Sequence, residues 1–332
     1  MQPRIAISIG DYNGIGPEVV IKAVHELSQD HDFTPVILGS TKIIDYYLET
    51  LDIDFTYNSI ISSEEIEDGK TNVLECLQNG DILLEPGKIE KNSGKSSMQA
   101  VETGINLCSQ NKAHALVTAP ISKEAIQRAG YPYPGHTEFL ANKTHCRQYM
   151  MLMVNDALRI GLVSIHIPVS EIISEVTKHA IIDRLQSMHT SLVNDFGIRN
   201  PKIGVLGLNP HAGDGGVIGK EEIDIIRPAL EDVHNEGIHA EGPFPADGFF
   251  GNRKYEHFDG VLAMYHDQGL IPFKTLSFNK GVNFTAGLPI IRTSPDHGTA
   301  FDIAGTNKAN NKSMNQAIEL ALRLAINRKK NA

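Results

Sequence analysis

Short runs of aliphatic and β-branched residues alternate with amphipathic stretches along almost the whole chain. This alternation constrains the fold more than any other feature. Strand, helix and strand in succession read as βαβ units, and hence as a largely parallel sheet. The pattern predicts strands over residues 4–9, 35–38, 113–118, 203–208 and 261–265. It predicts helices over 17–27, 42–51, 97–109, 220–236 and 313–326. Residues 150–154 and 158–165 read as a strand pair around a turn at Asn155-Asp156, and 177–196 as a long helix with Thr177 as its N-cap. The fold class is therefore α/β. A chain of 332 residues, 41% hydrophobic and 21% charged, suits about two domains with cores that need neither disulfide nor structural metal. No repeat and no low-complexity linker marks a boundary, as when two domains share segments of one chain.

The formal net charge is −10, and no run of five or more basic residues occurs. Both facts argue against a nucleic-acid partner, so any anionic ligand needs a local basic cluster. Cys76, Cys108 and Cys146 have no CxxC spacing, which supports neither a disulfide framework nor a zinc knuckle and suits the cytoplasm. The opening MQPRIAISIGD has too short an apolar run for a signal peptide. No stretch approaches the ~18 apolar residues of a membrane span.

Three predicted strands end in histidine: His166 in SIHIP, His211 in LNPHAG and His266 in MYHDQG. Ligands of open α/β sheets bind beyond the carboxyl ends of strands, so these three can converge. Three neutral imidazoles with an open position make a catalytic site for a divalent ion. Against this stands chance, because a chain with 14 histidines places some at strand ends as plain surface groups. The loop IGDYNGIGPEVV after the first strand presents a helix N-terminus to an anion, or is a βα turn that needs glycine. It is neither GxGxxG nor a Walker loop. Five glycines lie between 207 and 220, as in a loop passing close to a ligand. GHTEF puts His136 and Thr137 on a glycine turn, and Lys274, Asn283 and Arg292 follow; together they offer the groups that hold a phosphate or carboxylate. The late stretch DHGTAFDIAGTNKANN carries His297, Asp302 and Asn310.

Taken together, GDYNGIGPE, GHTEFL, SIHIPV, GLNPHAGDGG, PFPADGFF, AMYHDQGLIPFK and GVNFTAGLPIIRTSPDHGTAFDIAG closely resemble the 4-hydroxythreonine-4-phosphate dehydrogenase family of vitamin B6 biosynthesis, over essentially the whole chain. The late stretch is also similar to the nucleotide-binding loop of isopropylmalate and isocitrate dehydrogenases. The resemblance implies two α/β/α domains around a deep cleft, isocitrate/isopropylmalate dehydrogenase-like. Residues 1–128 and 275–332 would bind nucleotide, and 129–274 would carry the metal, the substrate and the dimer contact. It implies His166, His211 and His266 as ligands of one divalent ion (Zn, Mg, Co or Mn), in a site shared across a homodimer. It implies His136, Thr137, Lys274, Asn283 and Arg292 as substrate contacts, and His297, Asp302 and Asn310 as contacts to NAD or NADP. Tyr12 and Asn13 depart from the family's usual first loop.

The implied reaction oxidises a secondary alcohol of 4-phosphohydroxy-L-threonine with NAD(P), and the 3-oxo acid then loses CO2 to leave 3-amino-2-oxopropyl phosphate. The base is Asp247 or Asp267, and either could instead orient a metal-bound histidine. An aspartate at 302 beside the adenosine ribose favours NAD over NADP. The alternatives are a dehydrogenase of 4-phospho-threonate or 4-phospho-erythronate, a metal-dependent phosphatase, and a non-catalytic binding protein.

Overall fold

Parallel strands covered on both faces must be apolar throughout, and the predicted runs are such strands. A computed structural model describes residues 2–77, 82–277 and 280–331. In chain order the strands are β1 (Arg4–Ser8), β2 (Thr34–Gly39), β3 (Asn58–Ile60), β4 (Asn72–Glu75), β5 (Ala115–Thr118), β6 (Met150–Val154), β7 (Arg159–Leu162), β8 (Lys202–Leu206), β9 (His239–Phe244), β10 (Gly260–Ala263), β11 (Val282–Ala286) and β12 (Arg292–Pro295). Every residue of β2, β5 and β10 is buried.

The chain divides into two units, Met1–Cys146 with Leu288–Ile326, and Arg147–Gly287 with Asn327–Ala332. In the first, the order β3-β4-β2-β1-β5-β12 is parallel throughout. In the second, the order is β11-β6-β7-β10-β8-β9. There β11, β6 and β7 alternate in direction, while β7, β10, β8 and β9 run parallel. The core of this second unit includes Ile160, Leu162, Leu206, Phe249, Val261 and Phe273. Among the described residues, no helix is long and apolar enough to cross a membrane.

Thr177 caps the helix Lys178–Asn194 by accepting from Ala180 N at 3.2 Å. Elsewhere the structure corrects the periodicity. The strand expected over 158–165 ends at Leu162. The helix expected over 220–236 opens with a π-helical turn, Glu222–Ile226, before the α-helix Arg227–Asn235. His136 and Thr137 do not sit on a simple glycine turn; they begin the helix His136–Lys143.

The first loop is closed by its own chain. Asp11 is fully buried, its N–H donates to Pro120 O at 2.9 Å, and its Oδ1 accepts from Asn13 N at 3.0 Å. Asn13 Oδ1 accepts from Glu85 N and the Tyr12 side chain is buried at 1% exposure, so the two departures from the family's loop are packing contacts. The next helix, Gly16–Asp30, begins with Glu18, fully buried, accepting from Lys22 Nζ at 2.7 Å and Ala309 N at 2.8 Å. An anion at this helix N-terminus would meet that carboxylate, so the loop is a βα turn.

Burial pushes the Asp11 carboxyl up to about 6, against hydrogen bonds from Ser93 and Asn13 that pull it down. Between the unfolded value of 3.8 and about 6, the folded chain keeps a proton that the unfolded chain has lost. Stability contributed here is therefore present below the window, falls as pH rises through it, and stays low above it. Asp11→Asn keeps the acceptor for Asn13 and removes the titration. It should raise stability at pH 8 by roughly 1–3 kcal/mol and change little at pH 4, read by urea unfolding. The same difference at both pH values would mean that Asp11 is ionised in the folded chain.

Candidate functional site

The three histidine-bearing segments follow neighbouring strands. β7, β10 and β8 are adjacent and parallel, so their carboxyl ends lie at one edge of the second unit's sheet. His166 and His266 come together, with ring centroids 5.8 Å apart. His166 is exposed, while His266 is half-buried and opens the helix His266–Ser277. Its Nδ1 lies 2.7 Å from Asp267 Oδ1. With Asp267 accepting from Nδ1–H, the lone pair of Nε2 is left for a ligand. Asp247 is exposed, in the first turn of the helix Ala246–Gly251.

His211 is placed by an unusual backbone. From His211 to Gly215, φ is 53, 51, 80, 44 and 66°, a left-handed turn in which three residues are not glycine. Each such residue costs about 1–2 kcal/mol, so the surroundings must hold the turn. Glu222, 1% exposed, does so. Its Oε1 accepts from Asn209 N at 2.7 Å, and its Oε2 accepts from Asn209 Nδ2 at 3.0 Å. The glycines at 213 and 215 thus serve the backbone turn. Among the described residues, no three His, Cys, Asp or Glu side chains of one chain come together as a metal group. The structure pairs His166 with His266 and does not bring His211 into a trio with them.

In the first unit, Arg292 lies on β12 beside Leu116 of β5, only 2% exposed. Its Nε and Nη2 donate to Thr118 Oγ1 at 3.1 and 2.7 Å. Burial pulls the guanidinium down to about 10, opposed by the Glu138 carboxylate. Burial, reinforced by the charge of Arg292, holds His136 well below the usual imidazole value, so the ring is neutral at pH 7. His136 Nε2 is buried with no hydrogen-bond partner. The same is true of Asn283 Oδ1 on β11, in the second unit, and of His297 Nε2, in the first. Thr137 is half-buried beside His136, and Lys274 is exposed on the helix His266–Ser277. Asp302 is exposed in the turn Phe301–Ile303. Asn310 spends its Oδ1 on Lys312 N at 2.9 Å, at the start of the last helix.

Sequence reasoning missed Thr118, Asn209, Glu222 and Gln268. Glu222 falls in an amphipathic stretch, where a glutamate reads as a solvated face. Its burial has no local signal.

An α/β protein whose adjacent parallel strand ends carry imidazoles, and whose buried guanidinium lies beside a neutral imidazole, has the make-up of an enzyme for small anionic substrates. The profile of the family described as pyridoxal phosphate biosynthetic protein PdxA matches residues 31–321. A 4-hydroxythreonine-4-phosphate dehydrogenase of Bacteroides thetaiotaomicron is 43% identical over 329 residues, covering 98% of this chain and 90% of its own. A protein of Oceanobacillus iheyensis with the provisional name D-threonate 4-phosphate dehydrogenase is 40% identical, covering 98% of each. A crystal structure of 4-hydroxythreonine-4-phosphate dehydrogenase from Klebsiella pneumoniae has a TM-score of 0.89 and 36% identity, covering 98% of both chains. The chain belongs to the PdxA family.

Proposed function

We propose that this chain oxidises 4-phosphohydroxy-L-threonine at C3 with NAD, in pyridoxal phosphate biosynthesis. The hydride passes to the nicotinamide and the hydroxyl proton to a base; the 3-oxo acid then loses CO2, leaving 3-amino-2-oxopropyl phosphate. The observation that carries this reading is that, of a larger number of buried side-chain atoms without a hydrogen-bond partner among the described residues, three lie on residues that the family resemblance assigns to substrate and cofactor. His136 Nε2, Asn283 Oδ1 and His297 Nε2 are hydrogen-bonding groups removed from water with no partner among the described residues. Such groups are rare in folded chains and call for a ligand or water. In a PdxA-family chain they fall on residues expected to meet substrate and cofactor. His136, Thr137, Lys274, Asn283 and Arg292 would serve the substrate, and His297, Asp302 and Asn310 the nucleotide.

The donor set fits a divalent ion held by His166, His211 and His266: imidazoles beyond adjacent strand ends, with Asp267 fixing the tautomer of His266. When bound, such an ion would polarise the substrate oxygen and lower its pKa. Zn, Mg, Co and Mn all suit parts of this chemistry. The bond between Asp267 and His266 supports an orienting role for Asp267, and on this reading Asp247 is the candidate base. A homodimer would supply the third imidazole across its interface. Support comes from exposed aliphatic side chains shortly after each histidine: Val169, Val217 and Ile271, at 81, 83 and 63% exposure. Exposed aliphatics near all three histidine segments are the side chains that such an interface would cover. Cys76, Cys108 and Cys146 are thiols, not disulfides, which suits the cytoplasm.

The Oceanobacillus relative supports a second reading, a dehydrogenase of 4-phospho-threonate or 4-phospho-erythronate. The test is NADH formation with each substrate, with and without a chelator. The amino acid phosphate should give the higher kcat/KM, and the chelator should abolish it. NAD should be preferred over NADP, because the Asp302 carboxylate would repel a 2′-phosphate. Faster turnover of the hydroxy acid phosphates would establish the second reading, and no NADH from any of them would remove both.

A further inference from the structure

Three hydrogen-bonded steps join the loops that carry the histidines, and two of them are made by Gln268. The side chain of Gln268 accepts from Met264 N through Oε1 at 2.7 Å and donates to Gly207 O through Nε2 at 2.6 Å. Met264 O in turn accepts from Ser164 N at 3.1 Å and from Ser164 Oγ at 3.0 Å. Ser164 lies two residues before His166, Met264 two before His266, and Gly207 four before His211. These bonds begin where the strand ladders stop. β7, β10 and β8 end at Leu162, Ala263 and Leu206. Just beyond those points the backbone bonds Val163 N to Ala263 O and Ser164 N to Met264 O still tie the first two segments, and the Gln268 side chain links them to the segment after β8.

We propose that Gln268 is the positioning residue that ties the loop bearing His211 to the His266 loop, itself joined to the His166 loop through Ser164, and so sets the affinity of the histidine site for a divalent cation. It rests on the reading of His166, His211 and His266 as metal ligands. The amide is the only side-chain group of this length that serves both bonds. One end must accept from an N–H and the other must donate to a carbonyl. The surroundings also settle which end is which, since a flipped amide would set oxygen against the Gly207 carbonyl and NH2 against Met264 N–H. The residue is held in place as well. It sits in the first turn of the helix His266–Ser277, and a Cβ added at the next residue, Gly269, would come within 2.7 Å of Leu162 Cδ2. The helix therefore lies directly on β7, and the amide cannot follow if either loop shifts. Whichever subunit each imidazole reaches toward, the backbone that bears it starts from this clasp.

The experiment compares the metal-free full-length protein with Gln268→Glu and Gln268→Met. Glutamate can still accept from Met264 N but cannot donate to Gly207 O, and it sets two oxygens against each other. Methionine is close in volume and makes neither bond. Co2+ uptake is followed by equilibrium dialysis and by its visible absorption, and amide hydrogen exchange is followed over 205–216 and 262–268. Both variants should bind Co2+ about 10–100-fold more weakly, the range for groups that orient metal ligands. Exchange in the two segments should quicken before any metal is added, and excess Co2+ should restore kcat, which general destabilisation would not allow. Wild-type Co2+ affinity in the methionine variant, or unchanged exchange, overturns the proposal; if only that variant folds, it decides alone. Should the unmutated protein take up no Co2+, the histidine reading is lost, and the clasp is then judged by the exchange result.

Discussion

Replacing His266 by alanine should lower kcat by about a thousandfold while leaving Tm within a few degrees of wild type. The two effects separate because the ring is half-buried at the start of a helix, outside the apolar core of its unit. A Lewis acid contributes several kcal/mol to an oxyanion-forming step, and about 4 kcal/mol is a factor of a thousand. Asp267→Asn should do less. An asparagine oxygen can still accept from His266 Nδ1–H, so the tautomer survives and only the charge is lost. A fall in metal affinity of about 10-fold is expected, the low end for a group behind a metal ligand. Asp247→Asn should lower kcat without changing metal content, which distinguishes a base from an orienting group. Bound metal and kcat measured on the three variants decide the matter. If His266→Ala keeps wild-type metal content, the imidazole is not a ligand.

The sequence showed the histidines more clearly than the framework that aims them. His166, His211 and His266 could be found because each follows an apolar run, and their strands are neighbours in the sheet. Short and polar strands were not legible. β3 has three residues, β9 is a largely exposed edge, and β12 reads RTSP although every residue in it is buried. Burial of Arg292 and Thr118 against one another is a long-range fact, from residues 174 apart, and no periodicity reports it. The chain passes between units at 146/147, 287/288 and 326/327, where composition does not change. Gln268 and Glu222 were invisible for the same reason. Gln268 reaches Gly207 O and Glu222 reaches Asn209, each outside its own helix, so the local pattern shows only a polar side chain in a helical stretch.

The left-handed turn that carries His211 gives the last large effect. Gly213→Ala should destabilise the protein by about 3 kcal/mol, and Gly215→Ala by about 1. Both glycines have positive φ, +80° and +66°, so both substitutions carry the backbone cost of a left-handed alanine. They differ in what the new methyl group meets. At Gly215 nothing lies within 4 Å, whereas at Gly213 the added Cβ would be 2.6 Å from Glu222 Oε2 and 2.9 Å from Gly219 O. Glu222 cannot swing aside cheaply, because both its oxygens hold Asn209 and the side chain has no open solvent to enter. The Gly219 carbonyl is backbone and cannot yield without moving the loop. The loss at Gly213 should therefore be coupled to the carboxylate. Glu222→Ala alone leaves Asn209 N–H without its acceptor and costs about 1–3 kcal/mol. Combined with Gly213→Ala it also removes the overlap with the carboxylate, though not that with Gly219 O, so the double variant should lose less than the sum of the two single losses. Urea unfolding of the four proteins measures each term. Equal losses at 213 and 215, or strict additivity in the double variant, would show that Glu222 does not brace the turn.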